Sequence, residues 1–124
     1  MGAGSIHVFI FVAIFSVVGA SLRWLVQSSF AAASFPWGTM LVNTLGGIAI
    51  GVIFSFKSQI NPVLFFAVTM GGLGSLTTFS TYSMESLHLI QSGRMIAAAG
   101  NVLANNVLAI GACYLAMVLV NRLN

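Results

Sequence analysis

Residues 71–78 have the sequence Gly-Gly-Leu-Gly-Ser-Leu-Thr-Thr, in the middle of an apolar stretch from about Pro62 to Ile90. Each glycine inside a helix costs about 1 kcal/mol relative to alanine, and the two threonines that follow carry hydroxyls that can bond to the backbone. The stretch is also longer than the roughly 20 residues that one membrane crossing needs. The segment therefore predicts a transmembrane helix that is broken at mid-membrane. A glycine-rich surface for helix packing is the alternative interpretation.

The composition of the whole chain agrees with a membrane protein. Of its 124 residues, 59% are hydrophobic and 4% are charged, and the mean hydropathy is +1.06. Soluble domains carry about a quarter charged residues, so this composition excludes a soluble enzyme domain. It also excludes a disordered chain, which would need low hydrophobicity. The net charge of +3 does not indicate nucleic-acid binding, because the cations are spread along the chain rather than clustered on one face.

Four apolar segments predict an all-α membrane protein with four transmembrane helices in a single domain. Polar loops that contain glycine, proline or a cation separate them, and Trp24 and Trp37 flank the first loop, as expected of aromatic residues at a membrane interface. With four spans, both termini lie on the same side of the membrane. The predicted spans are approximately residues 6–26, 37–56, 62–90 and 95–120.

Lysine and arginine residues set the orientation of small membrane proteins through the loops in which they lie. One predicted side carries Lys57 and Arg122, and the other carries Arg94 and, near a helix end, Arg23. The bias is therefore about nil, and a chain without bias is expected to insert in both orientations.

The second predicted span carries a polar pair and a glycine pair on one helix face. Thr39 and Asn43 are four residues apart, and Gly47 and Gly51 continue the same stripe. The glycines indicate a close helix approach. Asn43 either joins two helices by hydrogen bonding or belongs to a polar site.

The fourth predicted span contains Asn101 and Asn105 on one face, with Asn106 adjacent. Asparagines at membrane depth are costly unless they are paired or hydrated. A polar track through the membrane is the favoured interpretation, and helix-to-helix hydrogen bonding is the alternative.

After the predicted break, residues 79–85 have the sequence Phe-Ser-Thr-Tyr-Ser-Met-Glu. Phe79 and Tyr82 face the same way, with hydroxyl donors between and beside them. Glu85 is the only acid, so the chain lacks the second carboxylate that acid–base hydrolysis would need. Neutral donors and the positive edges of aromatic rings suit a small anion better than a cation. Arg23 either raises the anion concentration in a vestibule or extends to the lipid headgroups.

Three segments resemble the Fluc (CrcB) family of bacterial fluoride channels. They are residues 19–24 (Gly-Ala-Ser-Leu-Arg-Trp), 37–43 (Trp-Gly-Thr-Met-Leu-Val-Asn) and 77–83 (Thr-Thr-Phe-Ser-Thr-Tyr-Ser). Because the size, the span layout and the broken third span also agree, the resemblance covers essentially the whole chain. It implies a channel, not an enzyme, that exports fluoride passively across the bacterial inner membrane and so lowers fluoride toxicity.

The resemblance further implies an antiparallel, dual-topology homodimer in the lipid bilayer, with two pores. It implies a structural sodium ion at the dimer centre, held by main-chain carbonyls that by position belong to Gly74 and Thr77 in this sequence.

The resemblance also assigns roles to side chains. Arg23 and Thr39 would line an aqueous vestibule. Two positions depart from the family pattern, since Tyr82 replaces the usual phenylalanine and Ser75 replaces a usual glycine. The fluoride pore would be lined by Asn43, Phe79, Ser80, Thr81, Tyr82, Ser83 and Asn105.

Two other functions compete with this one. A small proton-coupled exporter of cationic drugs would need a membrane-embedded carboxylate, for which Glu85 is the only candidate. It lies late in the third span rather than in the first, where that class would place it. A non-transporting assembly or anchor subunit would not explain donor-rich faces on three spans.

Overall fold

The computed structural model describes the backbone of residues 3–123 and the side chains of residues 6–123. Within these residues, four stretches are long and apolar enough to cross a membrane, and the third of them is interrupted. The predicted four-span, all-α architecture with a broken third span is therefore confirmed. The elements are α1 (Ala3–Ser29), α2 (Trp37–Ser55), α3 (Pro62–Phe66), a π-helix (Ala67–Leu73), α4 (Gly74–Leu76), α5 (Phe79–Gln91) and α6 (Met95–Leu123).

The third span comprises α3, the π-helix, α4 and α5, and its break lies at the two threonines. Thr77 (φ −77°, ψ 155°) and Thr78 (φ −150°, ψ 114°) are both extended, whereas the glycines before them are helical. The interruption thus falls at the end of the predicted 71–78 segment. Since helical hydrogen bonds cannot pass through two extended residues, α5 starts as a separate helix.

The glycines of the 71–78 segment allow α1 to pack closely against the first half of the third span. A Cβ atom on Gly71 would lie 2.5 Å from the Val12 carbonyl oxygen, and one on Gly19 would lie 2.1 Å from the Gly72 carbonyl oxygen. Both distances are too short for any side chain. The helix-packing interpretation is therefore correct for the glycines, and the break belongs to the threonines.

A second close contact joins α2 to α6. A Cβ atom would lie 2.4 Å from the Ala109 carbonyl oxygen if placed on Gly47, and 2.3 Å from the Cys113 carbonyl oxygen if placed on Gly51. The predicted close approach along this glycine pair is confirmed. Such small-residue contacts drive helix association in lipid, because they bring backbones into van der Waals contact.

The broken span connects these two packed pairs. Its first half contacts α1, while α5 contacts α6. The turn after α5 uses Gly93, whose φ of 73° lies in the left-handed region that favours glycine. The Gly93 and Arg94 amides donate to the Ile90 and Leu89 carbonyls at 3.0 and 2.9 Å, so α6 returns beside α5.

Gly19→Ala is expected to destabilise the protein, because the added methyl group would meet the Gly72 carbonyl and force α1 away. Overpacking of this kind typically costs about 1–3 kcal/mol. Gly100→Ala in α6 is the matched control, since a Cβ there meets nothing within 4 Å. The measurement is the midpoint temperature of unfolding in detergent, followed by loss of the monodisperse chromatographic peak. Equal midpoints for the two variants would contradict the packing argument.

Candidate functional site

The break at Thr77–Thr78 is held open by Asn43 of α2. In a continuous helix the Thr78 amide would donate to the Gly74 carbonyl, four residues earlier. It donates instead to Asn43 Oδ1 at 2.9 Å, and Asn43 Nδ2 lies 3.4 Å from the Thr78 carbonyl oxygen. A side-chain amide thus replaces the helical partner that the Thr78 amide lacks, and it also lies against the carbonyl of the same residue.

A chain of hydrogen bonds continues from Asn43 through α6 and back to α5. Asn43 Nδ2 donates to Asn105 Oδ1 at 3.0 Å, and Asn105 Nδ2 donates to Asn101 Oδ1 at 2.8 Å. Asn101 Nδ2 donates to Ser86 Oγ at 2.9 Å, and that hydroxyl donates to the Tyr82 carbonyl at 2.8 Å. Counted from Thr78, the residue that caps α5, the chain returns to α5 at Ser86 and Tyr82, so it fixes α2, α5 and α6 together.

Thr78 also caps the start of α5, and the neighbouring predicted pore residues are arranged around it. Its Oγ1 accepts the Thr81 amide at 3.2 Å and donates to Thr81 Oγ1 at 3.0 Å, and it lies 3.3 Å from Ser80 Oγ. Ser83 Oγ donates to the Phe79 carbonyl at 2.8 Å. The hydroxyls of Ser80 and Thr81 therefore belong to the cap, while that of Ser83 bonds within the helix.

The two carbonyls predicted to bind sodium have both lost their helical partners to side chains. The Thr78 amide, which would bond the Gly74 carbonyl, donates to Asn43, and the Thr81 amide, which would bond the Thr77 carbonyl, donates to Thr78 Oγ1. Gly74 is exposed on the surface of the chain. Main-chain oxygens freed at a helix break are suited to a monovalent cation.

The aromatic pair faces a cavity of about 240 Å³ beside the break. The Phe79 and Tyr82 rings have centroids 5.4 Å apart and are tilted by 54°. Phe79 is 78% exposed and Tyr82 is 9% exposed. The cavity brings together predicted residues from three spans, and its lining includes Asn43, Thr77, Phe79, Tyr82 and Asn105.

A second cavity, of about 570 Å³, lies between the first loop and the end of α5. Thr39 lines it and is nearly fully buried. Its hydroxyl accepts from Gln27 Nε2 at 2.9 Å and donates to Glu85 Oε1 at 2.8 Å, so it is satisfied on both sides. Among the described residues, Glu85 Oε2 is buried without a hydrogen-bond partner. Arg94 also lines this cavity. Arg23 is half-buried on α1 and is not among the described residues that line it.

Sequence reasoning missed several residues of these two cavities. The role of Thr78 as the N-cap of α5 could not be predicted, because the hydroxyl of a threonine in the middle of a span has many possible hydrogen-bond partners. Gln27, Glu85 and Arg94 meet around the larger cavity only through the packing of α1, α2 and α5. No spacing in the sequence could have joined them.

A polytopic membrane protein with a helix broken at mid-membrane, and with neutral donors gathered at the break, is of the class built to hold or pass small ions. A sequence model of the family described as "CrcB-like protein, Camphor Resistance (CrcB)" matches residues 10–117. The chain belongs to this family.

Curated relatives cover nearly the whole chain. The "Fluoride-specific ion channel FluC 1" of Yersinia pseudotuberculosis is 42% identical over 110 residues, which are 85% of this chain and 87% of the relative. The "Fluoride-specific ion channel FluC" of Shewanella halifaxensis is 40% identical over 116 residues, 90% of this chain and 94% of the relative. That of Saccharophagus degradans is 40% identical over 126 aligned positions, 98% of this chain and 95% of the relative.

Asn43→Ala is expected to loosen the break, because it leaves the Thr78 amide without its partner at membrane depth. An unsatisfied buried donor costs about 1–3 kcal/mol. Thr44→Ala is the control, since the one bond of the Thr44 hydroxyl to the described residues lies within α2, to the Met40 carbonyl at 2.8 Å. Hydrogen exchange in detergent measures the effect on a peptide that covers residues 77–81. Unchanged exchange in Asn43→Ala would show that Asn43 does not hold the break.

Proposed function

We propose that this chain is a fluoride-specific ion channel, which lets fluoride leave the cytoplasm passively and so lowers fluoride toxicity. The observation that carries the proposal is the cavity at the break, where Asn43, Asn105 and the Phe79–Tyr82 pair meet. Membership of the CrcB family and relatives named as fluoride channels support it.

The chemistry of the cavity suits a dehydrated anion. Fluoride that leaves water must exchange its hydration for N–H and O–H donors, and aromatic ring edges carry partial positive charge. Phe79 is largely exposed, so its edge is available to an ion beside the break. The proposed pore comprises Asn43, Phe79, Ser80, Thr81, Tyr82, Ser83 and Asn105.

The larger cavity is the proposed vestibule. Thr39 lies in its wall, and Arg94 supplies a cation at its edge, where its guanidinium donates to the Ser34 carbonyl. Arg23, in the last third of α1, is proposed to add to the positive potential that attracts anions.

An exporter of cationic drugs has less support. Its one candidate carboxylate, Glu85, already accepts a hydrogen bond from Thr39 through Oε1. The family relationship favours passive conduction, and we assign the protein to transport rather than enzymatic catalysis. Its proposed location is the inner membrane of a bacterium, as a multi-pass protein.

The working unit is proposed to be an antiparallel homodimer with two pores and a central sodium ion. The exposed residues of the third span support this assembly, since Met70, Gly74 and Phe79 are not covered by any part of their own chain that the structure describes. The freed carbonyls of Gly74 and Thr77 are the proposed sodium ligands. Two copies related by an axis in the membrane plane would each contribute both.

Phe79→Ile is expected to reduce fluoride efflux from proteoliposomes by at least about tenfold, because it removes the ring edge and leaves a side chain of similar volume. A loss of about 1.4 kcal/mol of barrier stabilisation corresponds to that factor. Phe9→Ile is the matched control, since Phe9 is exposed on α1, away from both cavities. A fluoride electrode follows the efflux. Wild-type rates in purified Phe79→Ile would refute the pore assignment.

The dimer and its sodium ion can be tested in one experiment. Two lysines added to one side of the chain should trap one orientation, and each such variant expressed alone should give neither dimer nor flux. Co-expression of oppositely biased variants should restore both. Exchange of sodium for N-methylglucamine should then dissociate the restored dimer. Flux from a singly oriented variant would contradict the antiparallel arrangement, and a dimer that persists without sodium would contradict the role of the ion.

A further inference from the structure

Asn106 of α6 contacts the hydroxyl of Tyr82, a contact that the proposed pore does not itself require. Asn106 Nδ2 lies 3.2 Å from Tyr82 Oη and 2.7 Å from the Val102 carbonyl oxygen. Tyr82 is buried, and both side chains line the cavity at the break.

The Val102 contact fixes the direction of the Tyr82 bond. A carbonyl oxygen can only accept, so the Asn106 atom beside it must be the amide nitrogen rather than the oxygen. That nitrogen carries two hydrogens, one for each neighbour. Tyr82 Oη is therefore the acceptor in its bond with Asn106, and its own hydrogen is left for another partner.

In the part of the chain that the structure describes, the Tyr82 hydroxyl donates to no other group, and two amide oxygens in the cavity wall already accept hydrogen bonds. Asn43 Oδ1 accepts the Thr78 amide, and Asn105 Oδ1 accepts from Asn43. A buried tyrosine hydroxyl usually finds a partner, and the space in front of this one is the cavity itself. A partner that enters the cavity must therefore accept a hydrogen bond, as an anion or a water does.

We propose that the Tyr82 hydroxyl donates a hydrogen bond to the ion in the pore, and that Asn106 is the positioning residue that keeps it a donor. The inference rests on the proposed fluoride-channel function. Asn106 donates a hydrogen bond to Tyr82 Oη, so the hydroxyl accepts from Asn106. This bond polarises the O–H group and strengthens the hydrogen bond that Tyr82 donates to the ion. Tyr82 thus contributes an O–H donor in addition to its ring edge.

The first test is the fluoride concentration that half-saturates efflux from proteoliposomes. Tyr82→Phe keeps the ring and removes the donor, and it should raise this concentration about tenfold, as expected for a hydrogen bond to a charged group. Asn106→Leu should raise it severalfold in the Tyr82 protein and not at all in Tyr82→Phe. Tyr114→Phe is the matched control, since Tyr114 is exposed elsewhere on α6. A merely structural role for Asn106 would impair both backgrounds equally.

The second test does not depend on transport. The chain has two tyrosines, so Tyr114→Phe leaves Tyr82 as the sole source of the tyrosine Raman doublet, which reports whether a hydroxyl donates or accepts. Sodium fluoride should change the doublet saturably, and sodium chloride at equal concentration should not. An unchanged doublet with unchanged half-saturation in Tyr82→Phe would overturn the inference while wild-type flux upheld the channel. A fluoride-dependent doublet without any flux would uphold the inference and refute the channel.

Discussion

The structure depends on one hydrogen bond at membrane depth. The Thr78 amide donates to Asn43 Oδ1 instead of to the Gly74 carbonyl, its partner in a continuous helix. Lipid offers no water to satisfy a backbone group, so a break in a transmembrane helix survives only where protein supplies the replacement. Asn43 supplies it. Because Asn43 also bonds to Asn105, the same side chain fixes the position of α6 relative to the break. The cavity beside the aromatic pair lies where the helix restarts, with Phe79 as the first residue of α5.

Apolar packing between the helices keeps these hydrogen-bonding residues in position, with few polar contacts. Close contacts between glycines and carbonyls at two interfaces, α1 with the third span and α2 with α6, bring the backbones together. In lipid, packing of this kind replaces the hydrophobic effect as the source of helix association. The polar side chains are therefore not needed for helix packing, and they bond at the break and line the cavities. This division explains how a chain with 4% charged residues can assemble a polar site in its interior.

Much of this arrangement could be predicted from the sequence, because hydropathy and helical spacing are local properties. These properties predict the four spans, the interruption of the third span and the close helix approach at Gly47 and Gly51. The structure agrees with all three. Which residues of the 71–78 segment form the break could not be predicted, since glycine and threonine both weaken a helix and packing on α1 decides between them. The Thr39–Glu85 bond spans 46 positions and depends on the tertiary fold. The sodium ligands, the pore roles and the dimer stay predictions.

The hydrogen-bond chain that runs from Thr78 to Ser86 is built from backbone, amide and hydroxyl groups alone. None of these groups gains or loses a proton at physiological pH. This hydrogen-bond chain therefore keeps one protonation state when the medium on either side becomes acidic. A histidine or carboxylate in the same place would have made the geometry of the helix break follow the acidity of the surroundings. With asparagine in that place, the hydrogen bonds of this chain do not themselves depend on the acidity of the medium.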